Sequence, residues 1–535
     1  MFKSQKKKLA EYLLQSFGKI KDETFTFDLI EKYFQGKDNS GACQVLSNKT
    51  CNDLDFQEIF MFIDRTNSKI GQQYLYHKLR TIPNTSNNVN EKLVELLSKD
   101  PEFRTSVQIL LDRLKNNEAC YITALFQEEH LKPPKWFYIT RILSFTSLLS
   151  IVLIIINPAV VFVLFGVFLI NTLIHFWNKR NLYQYLGSIP QLLRLIKIAD
   201  ELFKIRVLRE VNSKLPKSLE TMSGIKNRML FFRLESKMDN DLAALVWGLI
   251  EILKIVFLLE PLFLFGVLKQ LDTKRREIED IFSFVGEIDV LISIASLRAG
   301  LPFFCQPTVT ETQKLLVANK IYHPLIYNCI DNNIKIDGKS ILLTGSNMSG
   351  KTSFIRTIGI NVITGLTINT CFAKSFTTPR LRVFSAIRIS DDLLNDKSYY
   401  FEEVLTIKEL LDKSTDKQPN LFLLDEIFKG TNTIERISAG KAVLSSLNKG
   451  GNIVFVSTHD IELADLLNEE YDLYHFSEKV DHKTVDFDYK LKDGKLKTRN
   501  AIRILQLNNY PETIINEAFD ISKILTLSNK IETND

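Results

Sequence analysis

Residues Gly345-Ser-Asn-Met-Ser-Gly350-Lys351-Thr352 fit the spacing G-x-x-x-x-G-K-[ST]. Two glycines at that separation let backbone N–H groups wrap a phosphate, and a helix opening at the lysine adds positive potential. Gly345, Ser346, Asn347, Met348, Ser349, Gly350, Lys351, Thr352 and Ser353 are therefore the candidate cradle for a nucleoside triphosphate. Lys351 has the type and position to reach the β- and γ-phosphates, and Thr352 to hold Mg²⁺. A second set, Asp425-Glu426, ends the apolar run Leu421-Phe-Leu-Leu. Carboxylates at the carboxyl end of a buried strand stand where α/β sheets bind ligands. Asp425 is the candidate for the Mg²⁺ shell, and Glu426 for orienting an attacking water. A third run, Ile453-Val-Phe-Val-Ser-Thr458-His459, ends in a histidine placed to sense a γ-phosphate.

These residues need a sheet with helices behind it. The apolar run Ile341–Thr344 precedes the glycine loop and a helical pattern follows from Ser353, the context the motif requires. Residues 315–500 alternate β-rich runs (Ser340–Thr344, Leu421–Leu424, Ile453–Ser457) with helical stretches, the α/β pattern.

The N-terminal half reads differently. Phe56, Ile59, Phe60 and Ile63 repeat at helical spacing, as do Val107, Leu110, Leu111 and Leu114. From Ile142 to Asn178 there is no Asp, Glu, Lys or Arg, and Asn157-Pro158 marks a turn near the middle. Each arm approaches the roughly 17–25 apolar residues that cross hydrocarbon. Trp136, Phe137, Tyr138, Phe176, Trp177 and Tyr183 flank the run like an interfacial belt. Basic residues stand at both ends (Lys132, Lys135, Arg141; Lys179, Arg180), which predicts both on the cytoplasmic side. The expectation is a transmembrane helical hairpin. Residues 242–268 are also apolar but carry Glu251, Lys254 and Glu260; they fit a second hairpin or a protein-buried pair equally well.

The chain has 535 residues, 45% of them hydrophobic, and a net charge of +5, which permits nucleic acid or an anionic membrane as partner without arguing for either. Six scattered cysteines lack zinc-ligand spacing and predict reduced cytoplasmic thiols. No apolar h-region follows the basic start at Lys3 to Lys8, so no signal peptide is expected.

The motifs together resemble the MutS DNA mismatch repair family. The resemblance rests on the glycine loop with its internal Asn347-Met348, and on Tyr322-His323-Pro324-Leu325. It rests also on Asp391-Asp392-Leu393 followed by Ser398-x-Tyr400-x-x-Glu403, on Asp425-Glu-Ile-Phe-Lys-Gly430-Thr431-x-Thr433, and on Thr458-His459. Residues around Ile63-Asp64-Arg65-Thr66 and Gly71, and Ile288–Ala295, look like the family's helical core. The resemblance implies a Mg²⁺-dependent ATPase that hydrolyses ATP at two composite sites of a homodimer. Ser398 would reach the nucleotide of the partner chain, and DNA would be the ligand of a clamp. An alternative is a membrane-associated mechanical ATPase acting on protein or lipid.

The chain departs from the family's pattern. The mismatch-wedging domain, its connector and the DNA-clamp region are not identifiable, Phe428 replaces a glycine, and Glu435-Arg436 replaces Asp-Gly. The expected fold is an α/β P-loop (ABC-type) ATPase domain C-terminal to a mostly α-helical core with a transmembrane hairpin. The expected segments are an N-terminal helical extension (1–50), helical core (51–135), hairpin (136–180), long-helix lever (181–314), ATPase domain (315–500) and helical dimerisation tail (501–535). A cell-membrane protein with its ATPase domain in the cytoplasm follows.

Overall fold

The computed structural model describes residues 2–531 except 86–88, 131, 182, 234–240, 347–348, 389–398, 481–484, 497–500 and 509. The chain forms two units. One comprises Met1–Gly41, Ile63–Arg80 and Asn88–Leu301; the other comprises Ala42–Phe62, Thr81–Asn87 and Pro302–Asp535.

The first unit is helical. Its elements used below are α1 (Lys69–Arg80), α2 (Tyr138–Leu153), α3 (Val160–Asn181), α4 (Tyr183–Phe203), α5 (Asp241–Phe257), α6 (Leu259–Asp272) and α7 (Arg275–Gly300). Helix α7 is buried along most of its length and packs on α1. Two glycines permit that approach: a Cβ on Gly286 would meet the Tyr74 Cβ at 2.7 Å, and one on Gly71 the Asp289 carboxylate at 2.2 Å. Asp289 accepts from the N–H groups of Asn67 (2.8 Å) and Ser68 (2.8 Å), anchoring the start of α1. The segments around Ile63 and Ile288 thus meet in one core, where Arg65 N–H donates to Ser293 Oγ at 2.8 Å.

Helices α2 and α3 are consecutive and pack on one another. Their spans Lys135–Leu153 (19 residues) and Val160–Arg180 (21 residues) are long and apolar enough to cross a membrane, and only 17% and 11% of the tested windows is buried. The amphipathicity is inverted. Thr140, Ser147, Ser150, Asn171, His175 and Asn178 face inward, while Phe145, Leu148, Phe162, Phe165 and Leu173 face out. The charges of α5 and α6 also turn inward. Glu251 accepts from Lys179 (2.9 Å) and pairs with His175 (3.1 Å), and Lys254 donates to Glu260 at 3.2 Å. Pro261 lies in the first turn of α6, where a missing N–H costs nothing.

Two larger sheets of the second unit frame the site, beside two two-stranded ones among the described residues. The strands of the two larger sheets are β1 (Thr308–Thr310), β2 (Leu315–Ile321), β3 (Asn332–Asp337), β4 (Ser340–Thr344), β5 (Ser375–Pro379), β6 (Arg382–Ala386), β7 (Asn420–Asp425), β8 (Ile453–Thr458), β9 (Tyr471–His475) and β10 (Lys492–Asp493). A six-stranded sheet runs β10-β9-β4-β8-β7-β6, parallel except for the β10 edge. A four-stranded sheet runs β1-β5-β2-β3. Strands β4 and β8 are buried at every residue, which explains their continuous apolar runs. Helix α8 (Lys351–Ile368) follows β4, α9 (Tyr399–Ser414) precedes β7, and α10 (Thr433–Leu447) and α11 (Ile461–Leu467) flank β8.

Residues 42–62, which span the end of the expected N-terminal extension and the start of the expected helical core, group with this unit, where their acids find partners. Asp53 accepts from Ser385 Oγ (2.7 Å) and from the N–H groups of Ile387 (3.0 Å) and Arg388 (2.8 Å). Asp55 pairs with Arg356 at 2.8 Å.

Candidate active site

The glycine loop leaves β4 and enters α8 at the carboxyl end of the six-stranded sheet. Its first and last residues have backbones that suit glycine: Gly345 at φ 146° and Gly350 at φ 102°. A Cβ on Gly345 would meet the Phe476 carbonyl at 2.8 Å. Inside the loop Ser349 Oγ donates to the Ser346 carbonyl at 2.7 Å. Asn347, Met348 and Ser398, together with Asp391-Asp392-Leu393, lie outside the described residues.

Lys351 is 2% exposed, and its ammonium donates to the carbonyls of Gly345 (2.7 Å) and Ser346 (2.8 Å). Burial pushes it down to about 8, against the pull of Glu426 and Asp425. Thr352 Oγ1 donates to Asp425 Oδ2 at 2.7 Å. The other Asp425 oxygen accepts from Ser457 Oγ, the residue before Thr458-His459. The three motifs therefore converge on one carboxylate. Mg²⁺ needs only one or two protein oxygens beside substrate phosphates and water, and a hydroxyl already touching a carboxylate supplies such a pair.

Glu426 follows in the left-handed region at φ 52°, its N–H donating to the Ser457 carbonyl at 3.0 Å. That conformation costs a non-glycine residue about 1–2 kcal/mol and turns the side chain out of the strand. His459 Nε2 lies 2.7 Å from one Glu426 oxygen and Lys429 Nζ 3.0 Å from the other. Burial would raise this carboxyl, but hydrogen bonds and charge from His459 and Lys429 outweigh it and hold it at about 2. Ser353 lies in the first turn of α8 and lines the neighbouring cavity.

That cavity, about 440 Å³, is lined by Tyr322, His323, Ile326, Phe354 and Tyr489 beside Gly350. Burial and the Arg356 charge push His323 down to about 4, so its ring is neutral at neutral pH. Aromatic walls around a neutral imidazole next to a phosphate cradle suit a purine base.

Several site residues were not assigned roles from sequence. Glu403 is fully buried and accepts from the Phe428 N–H, with Lys429 and Gly430 N–H groups also turned on its carboxylate. It thereby holds the loop after Glu426, in which Phe428 is itself left-handed at φ 61°. Arg436 makes a two-pronged pair with Asp460 (2.9 and 2.7 Å), and Glu435 receives the Asn432 and Thr431 side chains, so the departing pair Glu435-Arg436 has local partners. Ser346 Oγ donates to Glu478 at 3.0 Å. Glu403, Phe428 and Glu435-Arg436 carried a sequence signal, their places in or beside the motif runs from Ser398 and Asp425, but no role.

Residues 341–526 match the protein-family model of MutS domain V. The chain is 30% identical over 282 residues to the DNA mismatch repair protein MSH3 of Kluyveromyces lactis, a stretch covering 49% of this chain and 27% of that one. It is 29% identical over 271 residues to MutS of Aquifex pyrophilus (48% and 30%), and 27% over 281 residues to MutS of Methanosarcina acetivorans (50% and 31%). The matched stretch thus spans about a third or less of each of these relatives' own length.

Proposed function

Taking the MutS domain V at residues 341–526 as premise, we propose that this chain is a membrane-anchored, MutS-like ATPase that hydrolyses ATP with Mg²⁺ as a homodimer. The observation that carries the nucleotide reading is the 2.7 Å contact of Thr352 with Asp425, two motif residues 73 positions apart. Thr352 and Asp425 would hold Mg²⁺, which when bound neutralises charge on the phosphates. Lys351 exchanges its two loop carbonyls for phosphate oxygens, a favourable trade for a cation that burial has made costly. Glu426 would orient the attacking water from its position next to Asp425. His459 and Lys429 both contact Glu426, and a γ-phosphate would compete for the two side chains, releasing Glu426 for that water.

Lys351→Ala should lose nucleotide binding at least 100-fold, a few kcal/mol for a buried charge-assisted contact. Glu426→Gln should bind ATP and turn over at least 100-fold more slowly. Wild-type turnover by the Glu426 variant would sink the assignment. The Ser398 segment of one chain would complete the site of the other. Mixing Ser398→Arg with Lys351→Ala chains should then restore some activity, since one site per mixed dimer keeps both halves.

Support for the membrane comes from the inverted helices. Eight large apolar residues of α2 and nine of α3 are exposed. Even at about 1 kcal/mol each, below the usual burial value, facing water would cost roughly 15 kcal/mol, as much as a whole domain's stability. A lipid surface removes that cost, and polar groups turned inward are what hydrocarbon demands. Basic flanks favour a cytoplasmic ATPase unit in the cell membrane. Release of the full chain from membranes by carbonate without detergent would refute this reading.

That these relatives are DNA mismatch repair proteins makes DNA the first candidate for the clamp's ligand. The apolar helices favour the second reading, mechanical work on a membrane protein or lipid without DNA. Affinity for DNA in detergent that falls steeply with salt supports the first, and its absence the second.

A further inference from the structure

None of the six cysteines is in a disulfide, and two of them stand opposite one another away from the phosphate cradle. Cys305 and Cys371 form an isolated antiparallel bridge. They exchange both backbone hydrogen bonds, Cys305 N–H to the Cys371 carbonyl (3.0 Å) and Cys371 N–H to the Cys305 carbonyl (2.8 Å). A pair bonded in this way has its Cα atoms about 5.5 Å apart with side chains on one face. That spacing sits at the most frequent value for disulfides, roughly 5.5–6 Å.

The two sulfurs also differ in access. Cys305 is half-buried, while Cys371 is fully buried against Gly365, where a Cβ would lie 2.8 Å from its sulfur. A hydrogen bond with Cys371 lowers the Cys305 thiol from its ordinary value, whereas burial raises Cys43, Cys120 and Cys329. Cys305 is thus the sulfur poised to react, with a resolving partner already across from it.

We propose that Cys305 and Cys371 are a reversible oxidation site that closes to a disulfide on exposure to a hydroperoxide. The Cys305 thiolate attacks the peroxide, the O–O bond breaks, and the leaving hydroxide takes a proton to become water. The Cys371 sulfur then attacks the Cys305 sulfenic acid. The S–S bond forms, the S–O bond breaks, and the second hydroxide leaves with the Cys371 proton as water. Two thiols and one hydrogen peroxide become one disulfide and two waters.

The link would act behind the base cavity. Cys371 follows the C-terminal end of α8, and Phe372 N–H donates to Asn361 Oδ1 on that helix at 2.6 Å. Tyr322, a wall of the cavity, donates its N–H to the Phe372 carbonyl (3.0 Å) and its hydroxyl to the Phe303 carbonyl (2.8 Å). A bond between 305 and 371 therefore ties both supports of Tyr322 together and fixes the end of the helix that carries Lys351.

The test treats the full-length protein in detergent with hydrogen peroxide, followed by digestion without reductant and mass spectrometry. The expected result is a crosslinked pair of peptides holding residues 305 and 371. With it should come a rise in melting temperature of about 5 °C or more, both reversed by dithiothreitol. The Cys305→Ser variant should show neither effect. Sulfinic acid at Cys305 without the crosslink, or a dominant link from Cys305 to Cys329, would overturn the proposal. So would an equal peroxide-induced rise in Cys305→Ser. If that variant does not fold, the peptide map of the unsubstituted chain decides alone.

Discussion

Glu403 touches no phosphate cradle, yet its loss should disable turnover. Its side chain is fully buried, and its carboxylate receives the Phe428 N–H with the Lys429 and Gly430 N–H groups turned toward it. Alanine at this position would strand those donors, at about 1–3 kcal/mol for each one left buried and unsatisfied. Since only the Phe428 bond is fully formed, and the carboxylate's own desolvation offsets part of its benefit, the expected loss is roughly 2–4 kcal/mol. The released loop carries Lys429, which clamps Glu426, and includes Phe428 in a left-handed conformation that will not persist unsupported. A displaced Glu426 should lower kcat about 10–100-fold while ATP affinity, which the proposed function assigns to Lys351, changes little. Glu403→Gln keeps an acceptor oxygen and should recover about half of both losses. Thermal unfolding and a kcat-against-KM comparison of the purified variants provide the assay. Wild-type melting and kcat in Glu403→Ala would refute the view that this carboxylate holds the loop. An equal loss in Ala and Gln would refute the view that accepting the backbone N–H is what matters.

Other substitutions probe the same physics. Phe428→Gly relieves about 1–2 kcal/mol of left-handed strain but empties a well-packed apolar site worth roughly 3–5 kcal/mol, so melting should fall; a more stable variant would contradict this. Glu426 is held at about 2 in the folded chain against an ordinary 4.5, so its stabilising share is present above 4.5 and lost as pH falls from there toward 2. The melting gap between wild type and Glu426→Gln should therefore shrink over that window, and a gap that widens would reverse the sign. Glu260→Leu removes one of the carboxylates that pair with the buried Lys254, leaving Glu251 at 3.5 Å, and should cost about 1–3 kcal/mol, whereas Glu260→Leu with Lys254→Met should lie closer to wild type. Equal losses in single and double variants would mean that the pair is not coupled.

The candidate nucleotide site could be read from the sequence because its motifs are local. Consecutive residues from Gly345 to Thr352 shape one turn, and continuous apolar runs mark β4, β7 and β8 because both faces of a central parallel strand are covered. The charge-free run from Ile142 to Asn178 was equally plain as composition. What composition could not supply was direction. Only the packing shows that the polar residues of α2 and α3 turn inward and that Glu251, Lys254 and Glu260 find partners, because burial depends on neighbours far along the chain. Distance in sequence hid the rest. Asp53 meets Ser385 across 332 positions, Glu403 meets Phe428 across 25, and Cys305 faces Cys371 across an isolated bridge. No spacing rule connects such pairs. Periodicity reports which face of an element is apolar, and the tertiary fold alone decides which polar groups must satisfy one another once water has been excluded.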